Sequence, residues 1–172
     1  MEQASIRLET PNDVDAIHQL TIQAFAAMPY SDGSEPYIID ALRRDGDLSL
    51  SLVMECEGPL IGHIAFSPIK INDQHLNWYG LGPVSIAPEF QKQGYGSQLI
   101  RKGLKDVQAI GAFGCALIGN PDYYKRFGFN SHKGFTYGDL DPQYVMQNPF
   151  DGEVRLGNLI YAKGFEAKPH KS

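Results

Sequence analysis

Ser5–Ile6–Arg7–Leu8–Glu9 alternates polar and apolar residues, the period of a half-buried strand. Thr10–Pro11–Asn12–Asp13 then carries the signs of a helix start: Thr as N-cap, Pro at the first helical position and an acid in the first turn. Val14, Ile17, His18, Ile22 and Phe25 recur at helical spacing, which predicts the apolar face of a first helix. Met28–Pro36, rich in Pro, Gly, Ser and acid, predicts a loop. A short second helix is expected near Glu35–Arg44, with Ile38, Ile39 and Leu42 on its apolar side.

Three strands are predicted next. Leu48–Cys56 is followed by the turn Glu57–Gly58–Pro59, Leu60–Ile71 by the turn Asn72–Asp73–Gln74–His75, and Leu76–Ala87 completes the set. Strands joined by turns this short are antiparallel neighbours. From Gly94 to Ile110 the period changes, and Leu99, Ile100, Leu104, Val107 and Ile110 fall on one face of a helix. Phe113–Ile118 is an apolar run of the kind a fully buried strand makes, so the helix before it implies a right-handed crossover and a parallel pairing. Asn120–Pro121 opens another short helix that stops at Gly128. Strand-like stretches lie around Tyr144–Met146 and Val154–Lys163, with a hairpin one arrangement open to them. No internal repeat interrupts the pattern, and a single domain is expected over residues 1–172.

A chain of 172 residues buries enough surface for one sizeable core without disulfides or metal. Its net charge of -5 and pI of about 5.5 argue against nonspecific nucleic-acid binding. The positive charge is clustered, however. Lys92, Arg101, Lys102 and Lys105 lie in an acid-free stretch, and so do Lys125, Arg126 and Lys133. Local basic patches on an acidic protein suit a small polyanion, although solvated helix faces have the same appearance. Cys56 and Cys115 fit reduced, buried thiols, Met1–Asp13 has no apolar signal-peptide core, and no run approaches the ~20 apolar residues of a membrane helix. A cytoplasmic protein without membrane partners is expected.

The segment from Val84 to Ser97 holds the most informative chemistry. A strand ends, a Pro-containing turn follows, and Gln91-x-x-Gly94-x-Gly96 opens a long basic helix. Glycines let backbone pass close to a ligand, the free N–H groups of a first helical turn point outward, and the helix dipole favours an anion there. Lys92 adds charge, so a diphosphate fits, while a purely structural glycine loop has the same spelling. A dinucleotide fingerprint is excluded because the third glycine position is Leu99, and a P-loop because no Gly-Lys-Ser/Thr closes the run. Gly80–Leu81–Gly82–Pro83 predicts a bulge that splays its strand from the next, leaving unpaired groups near Val84, Ser85 and Ile86 for an extended amide-bearing ligand. A bare N–H there is also placed to polarise a thioester carbonyl. A Tyr hydroxyl on the short helix of Tyr123 and Tyr124, past the end of the buried strand, is expected to face the same crevice and can donate a proton to a leaving thiolate, although paired Tyr rings also pack at surfaces. Asn120 reads mainly as an N-cap.

The run SIAPEFQKQGYG, with its Gln/Arg-x-x-Gly-x-Gly/Ala pattern, resembles motif A of the GNAT superfamily of N-acetyltransferases, and YYKRFGF resembles the end of its motif B. With HIAFSP and LGPVSIAPEF, the resemblance covers the first strand to Tyr161 and is closest to a bacterial subgroup of predicted N-acetyltransferases. It implies an α/β fold with a mixed, mostly antiparallel sheet of about seven strands and helices on both faces. It also implies acetyl-CoA as co-substrate, held by Val84, Ser85 and Ile86 along the pantetheine arm and by Gln91, Lys92, Gln93, Gly94, Tyr95, Gly96 and Ser97 at the pyrophosphate. Tyr124 is the implied general acid. Gln91 replaces the commoner Arg, and the Asn that the family places seven residues before the Tyr falls on Leu117.

The acceptor is expected to be a small-molecule or protein amine, with a homodimer left open as an assembly. Glu35 and His63 are candidate bases or relays, Ser67 shares a face with His63, and helix-start and core roles compete for the two. The histidines lack metal-ligand spacing, so no metal is expected. A non-catalytic acyl-CoA-binding regulatory module is the rival to an enzyme.

Overall fold

The computed structural model describes residues 3–169. Strands β1 (Ala4–Leu8), β2 (Leu50–Cys56), β3 (Leu60–Ile71), β4 (Trp78–Ile86), β5 (Gly114–Ile118), β6 (Asn130–Ser131), β7 (Phe135–Thr136), β8 (Val145–Pro149) and β9 (Gly157–Tyr161) form the sheet. Helices α1 (Val14–Phe25), α2 (Glu35–Arg44), α3 (Tyr95–Ala109) and α4 (Pro121–Tyr124) connect them. The continuous order is β1-β2-β3-β4-β5-β8-β6, seven strands as expected, and β7 and β9 bring the sheet to nine. β6 and β7 have two residues each, too few to show a period in sequence.

Every pairing on the main path is antiparallel except β4 with β5, where α3 supplies the crossover. The two C-terminal strands do not form a hairpin. β8 pairs with β5 and β6, whereas β9 pairs with β3 and β7. β3 outruns β2, leaving its Ile69–Ile71 edge to be satisfied, and β9 takes it.

Helices cover both faces. On one, α3 seats Leu99, Ile100, Leu104 and Val107 against Leu52, Met54, Ile64 and Phe66, all buried. Burial of each such side chain stabilises by about 1.5–3 kcal/mol. On the other, Ile17 of α1 and Ile39 of α2 enclose Val53. A third cluster around Trp78, Ile69, Ala116, Phe135 and Leu159 fills the space under β9.

Two predicted faces are corrected. α1 buries Ile17, Leu20, Thr21 and Ala24, and leaves Ile22 40 % exposed. The small Ala24, and Thr21 whose hydroxyl donates to the Ile17 carbonyl at 2.7 Å, let the helix lie close on β3 and β4. Ile110 ends outside α3 and is exposed. Thr10 and Asp13 do form the reciprocal cap, but the turn they cap is a 3-10 turn over Pro11–Asp13 that leads into α1. Among the described residues, no helix is long and apolar enough to cross a membrane.

Candidate active site

The site begins where two strands part. β4 and β5 pair at Trp78–Gly114, Tyr79–Cys115 and Gly80–Ala116, and there the ladder stops although β4 runs to Ile86 and β5 to Ile118. The β3–β4 register shifts between Ile64 and Phe66, the bulge expected from Gly80–Pro83. The Ala87 N–H donates to the Ile61 carbonyl at 2.8 Å, so by antiparallel alternation Ser85 turns its backbone groups to β3. Val84 and Ile86 turn theirs to the parted seam. The Ile86 carbonyl accepts from Gln91 Nε2 at 2.9 Å, which leaves its N–H for the seam. Ser85, expected beside them along the pantetheine arm, instead has its backbone on β3 and a buried hydroxyl.

From Ile86 the chain enters a 3-10 turn, Pro88–Phe90, and then a loop with two positive φ angles, Lys92 at 63° and Gly94 at 89°. A left-handed Gly94 costs little, and a Cβ built there would meet no atom within 4 Å. The first bond of α3 runs from the Gln98 N–H to the Gly94 carbonyl at 3.2 Å. Among the described residues, the amides from Lys92 to Ser97 therefore have no backbone acceptor. They curve around the positive end of a 15-residue helix, a nest for an anion. The Gln91 N–H is the exception, donating to the Pro88 carbonyl at 3.3 Å, and Gln93 Nε2 ties to the Glu89 carbonyl at 3.0 Å. Both glutamines hold the loop shape through these bonds. The two basic stretches converge beside it: Arg101 lies over the Phe127 ring at 4.9 Å and Arg126 over the Tyr123 ring at 4.7 Å. A Cβ at Gly96 would stand 3.4 Å from the Tyr123 hydroxyl, so α3 and the Tyr123–Tyr124 turn are in contact.

Tyr124 comes from the far side of the seam. The Asn120 side chain accepts from the Asp122 N–H at 2.9 Å and starts α4 as an N-cap. The Tyr124 ring lies over Gly119, where a Cβ would fall 2.5 Å from Cε2, and Phe129 meets it edge-on at 6.1 Å. Burial pushes its hydroxyl up to about 12, and the neighbouring Tyr123 and Tyr30 add to the shift. The phenol is thus protonated at any physiological pH. Tyr30 belongs to the α1–α2 loop, which brings that loop to the same side.

His63 lies under α1, fully buried. Its Nε2 is 2.8 Å from Ser51 Oγ, and Ser51 donates to the Glu9 carboxylate. Burial works to raise the Glu9 carboxyl, but hydrogen bonds from Arg43 at 2.9 and 3.0 Å and from Ser51 outweigh it and hold it ionised. Since the carboxylate can only accept, the Ser51 oxygen accepts from His63 Nε2–H, which leaves Nδ1 as a lone pair. Nδ1 and the buried Ser67 and Ser85 hydroxyls find no partner among the described residues. Glu35 begins α2 and accepts from the Ser31 hydroxyl at 2.5 Å.

Burial lowers the His63 pKa from 6.5 to about 4. Between those values the unfolded chain binds a proton that the folded one refuses, so stability falls as pH drops through this window, by about 3 kcal/mol in all. Above pH 6.5 the residue adds no pH dependence. Urea unfolding from pH 7 to pH 4 is expected to show this slope in the wild type and a shallower one in His63→Gln. Equal slopes would refute a buried, neutral His63.

The acetyltransferase (GNAT) domain family matches residues 5–131. The chain belongs to the GNAT acetyltransferase family. A GNAT family acetyltransferase from Brucella melitensis, crystallised with acetyl-CoA, superposes with a TM-score of 0.86 at 41 % identity, covering 96 % of this chain and 99 % of that one. The Escherichia coli GNAT family N-acetyltransferase YhbS in complex with CoA also gives 0.86, at 27 % identity over 96 % of this chain and 93 % of its own. The uncharacterized N-acetyltransferase YhbS of Escherichia coli strain K12 is 34 % identical over 125 residues, 72 % of either chain.

In this GNAT domain the fold gathers Val84, Ile86, the Lys92–Ser97 amides and Tyr124 along one parted seam. It sets Ser85 and His63 on the α1 side of the sheet, behind it. Sequence patterns missed Tyr30, Glu9 and Ser51, and also Tyr161, whose ring lies against Gly80. None of these sits in a local motif. Their only sequence signal is residue type, because each acquires its neighbours from a distant segment.

Proposed function

We propose that this GNAT-family protein is an N-acetyltransferase that moves the acetyl group of acetyl-CoA to an amine by direct attack within a ternary complex. The observation that carries the reading is the continuity of the unpaired backbone: bare amides at the start of α3 lead into the exposed edge of β4, which leads to Tyr124. The amides from Lys92 to Ser97 bind the diphosphate, with the Gln91 side chain bracing their loop. Val84 and Ile86 pair with the pantetheine amides as a neighbouring strand would, and a β4 N–H polarises the thioester carbonyl. Alignment of amine and thioester supplies ~7–11 kcal/mol of the rate enhancement.

As the C–S bond breaks and the C–N bond forms, the Tyr124 O–H donates to the departing sulfur. An ordinary thiol titrates near ~8.5, below Tyr124, so the hydroxyl first stabilises the developing charge as a hydrogen bond. The proton lost by the amine balances the thiol that leaves. Glu35, beside the loop that carries Tyr30, is placed to receive it, whereas His63, fully buried and held neutral down to about pH 4, is not. Buried Cys56 and Cys115 thiols favour a reducing compartment, the cytoplasm.

The decisive experiment incubates the protein with acetyl-CoA and pools of amino acids, polyamines, aminoglycosides and protein amines, and reads thiol release. Release that depends on one pool and is lost in Tyr124→Phe is expected. Tight acetyl-CoA binding with no amine-dependent release would point instead to a regulatory acyl-CoA sensor.

A further inference from the structure

The seam between β4 and β5 has an open end at the phosphate loop and a blind end at Gly80–Ala116, the last pair of the ladder. An arm that enters beside the α3 amides and runs along β4 from Ile86 points its acyl group at that blind end. What fills the blind end therefore sets how long an acyl group can be.

On the α3 face the blind end is already packed solid by Leu81 and Leu117, both buried in the main core. Any extension has to leave by the other face, and there one side chain stands in the way. Tyr161, the last residue of β9, is registered opposite Ile69 of β3. Its ring crosses to β4, where a Cβ on Gly80 would lie 2.8 Å from Cε1 and 3.2 Å from Cδ1. The Ile118 backbone amide on β5 meets its hydroxyl, so the side chain spans from one lip of the seam to the other. That amide faces β4, because the Gly119 N–H donates to the Tyr144 carbonyl at 3.0 Å and amides alternate along β5.

The ring is held from behind. Phe165 stacks on it at 4.2 Å between centroids, and Tyr137 meets it edge-on at 5.5 Å. Burial, and then the neighbouring Tyr137, raise its hydroxyl well above the ordinary range, so the side chain is a neutral plug. Gly80 is the complement of this plug. Any larger residue there would drive the ring out of place, since Ile69 Cγ2 stands at 3.0 Å on the remaining side.

We propose that Tyr161 is the acyl-length gate of this enzyme: its ring closes the blind end of the β4–β5 seam over Gly80 and confines the donor to acetyl-CoA. The inference rests on the reading that acetyl-CoA lies along β4, and it adds the donor specificity that reading leaves open.

Calorimetric titration of the full chain with CoA, acetyl-CoA, butyryl-CoA and hexanoyl-CoA tests it without needing the acceptor. Wild type is expected to bind acetyl-CoA about tenfold or more tightly than butyryl-CoA, with hexanoyl-CoA weaker still. Tyr161→Ala is expected to bring the three acyl-CoAs within about threefold of one another, while free CoA, which carries no acyl group, binds as in wild type. Tyr161→Phe keeps the ring and is expected to keep the wild-type discrimination. Tyr161→Leu retains an apolar contact with Phe165 and Ile69 and replaces the alanine variant if that one fails to fold. Wild-type discrimination persisting in a folded, CoA-binding Tyr161→Ala or Tyr161→Leu overturns the gate, as does a wild type indifferent to acyl length. A wild type that binds no CoA at all overturns the cofactor reading, and the gate with it.

Discussion

Gly94→Val is expected to lower acetyl-CoA affinity by about a hundredfold or more while leaving the helix content and melting temperature near those of wild type. Gly94 has φ 89°, and no protein atom lies within 4 Å of a Cβ built there. The added side chain therefore clashes with nothing in the protein and stands in open space at the N-terminus of α3. Two effects combine. A β-branched residue held at positive φ costs on the order of 1–3 kcal/mol, which the loop relieves by flattening and dispersing its N–H groups. Charge-assisted hydrogen bonds are worth about 1.5–3 kcal/mol each, so losing two of them alone gives the hundredfold drop. Gly96→Trp is expected to act in the same direction, because its Cβ already comes 3.4 Å from the Tyr123 hydroxyl. Calorimetry decides the matter. A Gly94→Val protein that binds acetyl-CoA within threefold of wild type would remove the diphosphate from this loop.

Tyr124→Phe is expected to slow the acetyl-transfer step by about a hundredfold or more and to change acetyl-CoA affinity by less than about twofold. The ring stays because Gly119 leaves it room and Phe129 supports it, so the substitution removes one oxygen from an otherwise unchanged wall. A donor used only as negative charge grows on sulfur contributes to the transition state and not to ground-state binding. Because the Tyr124 hydroxyl is pushed up to about 12, the wild-type rate is not expected to fall on the alkaline side through its ionisation at any pH below 10. Single-turnover acetylation of the responsive amine reads both effects. Undiminished transfer in the phenylalanine variant would dismiss Tyr124 as the acid.

Elements written by local pattern were legible from residues alone. α2 begins and ends at Glu35 and Arg44, and β3 at Leu60 and Ile71, as the apolar periods and flanking turns predict. The glycine loop before α3 was legible for the same reason. The left-handed φ of Gly94, the bare amides of a first helical turn and the N-cap at Asn120 are consequences of near neighbours in the chain. What adjacency in sequence does not encode is which backbone edges stay unpaired. The bulge residues forecast a splay at β4, but that the ladder breaks after Gly80 depends on β5, and that β9 takes the end of β3 depends on where β2 stops.

Side-chain placement divides along the same line. Period-two alternation put His63 and Ser67 on one face, and the structure bears that out. Only the packing of α1 over β3 turned that face into a buried one and joined His63 to Ser51 and Glu9, the last two being 42 residues apart. Ser85 is consecutive with Val84 and Ile86 in sequence, but the antiparallel register turns its backbone to β3. Local hydrogen bonding and hydrophobic period, properties of a few successive residues, thus determined the helices, most of the strands and the loop of bare amides before α3. Tertiary packing alone brought Tyr161 from the last strand onto Gly80, because β9 satisfies the edge of β3 that β2 leaves open.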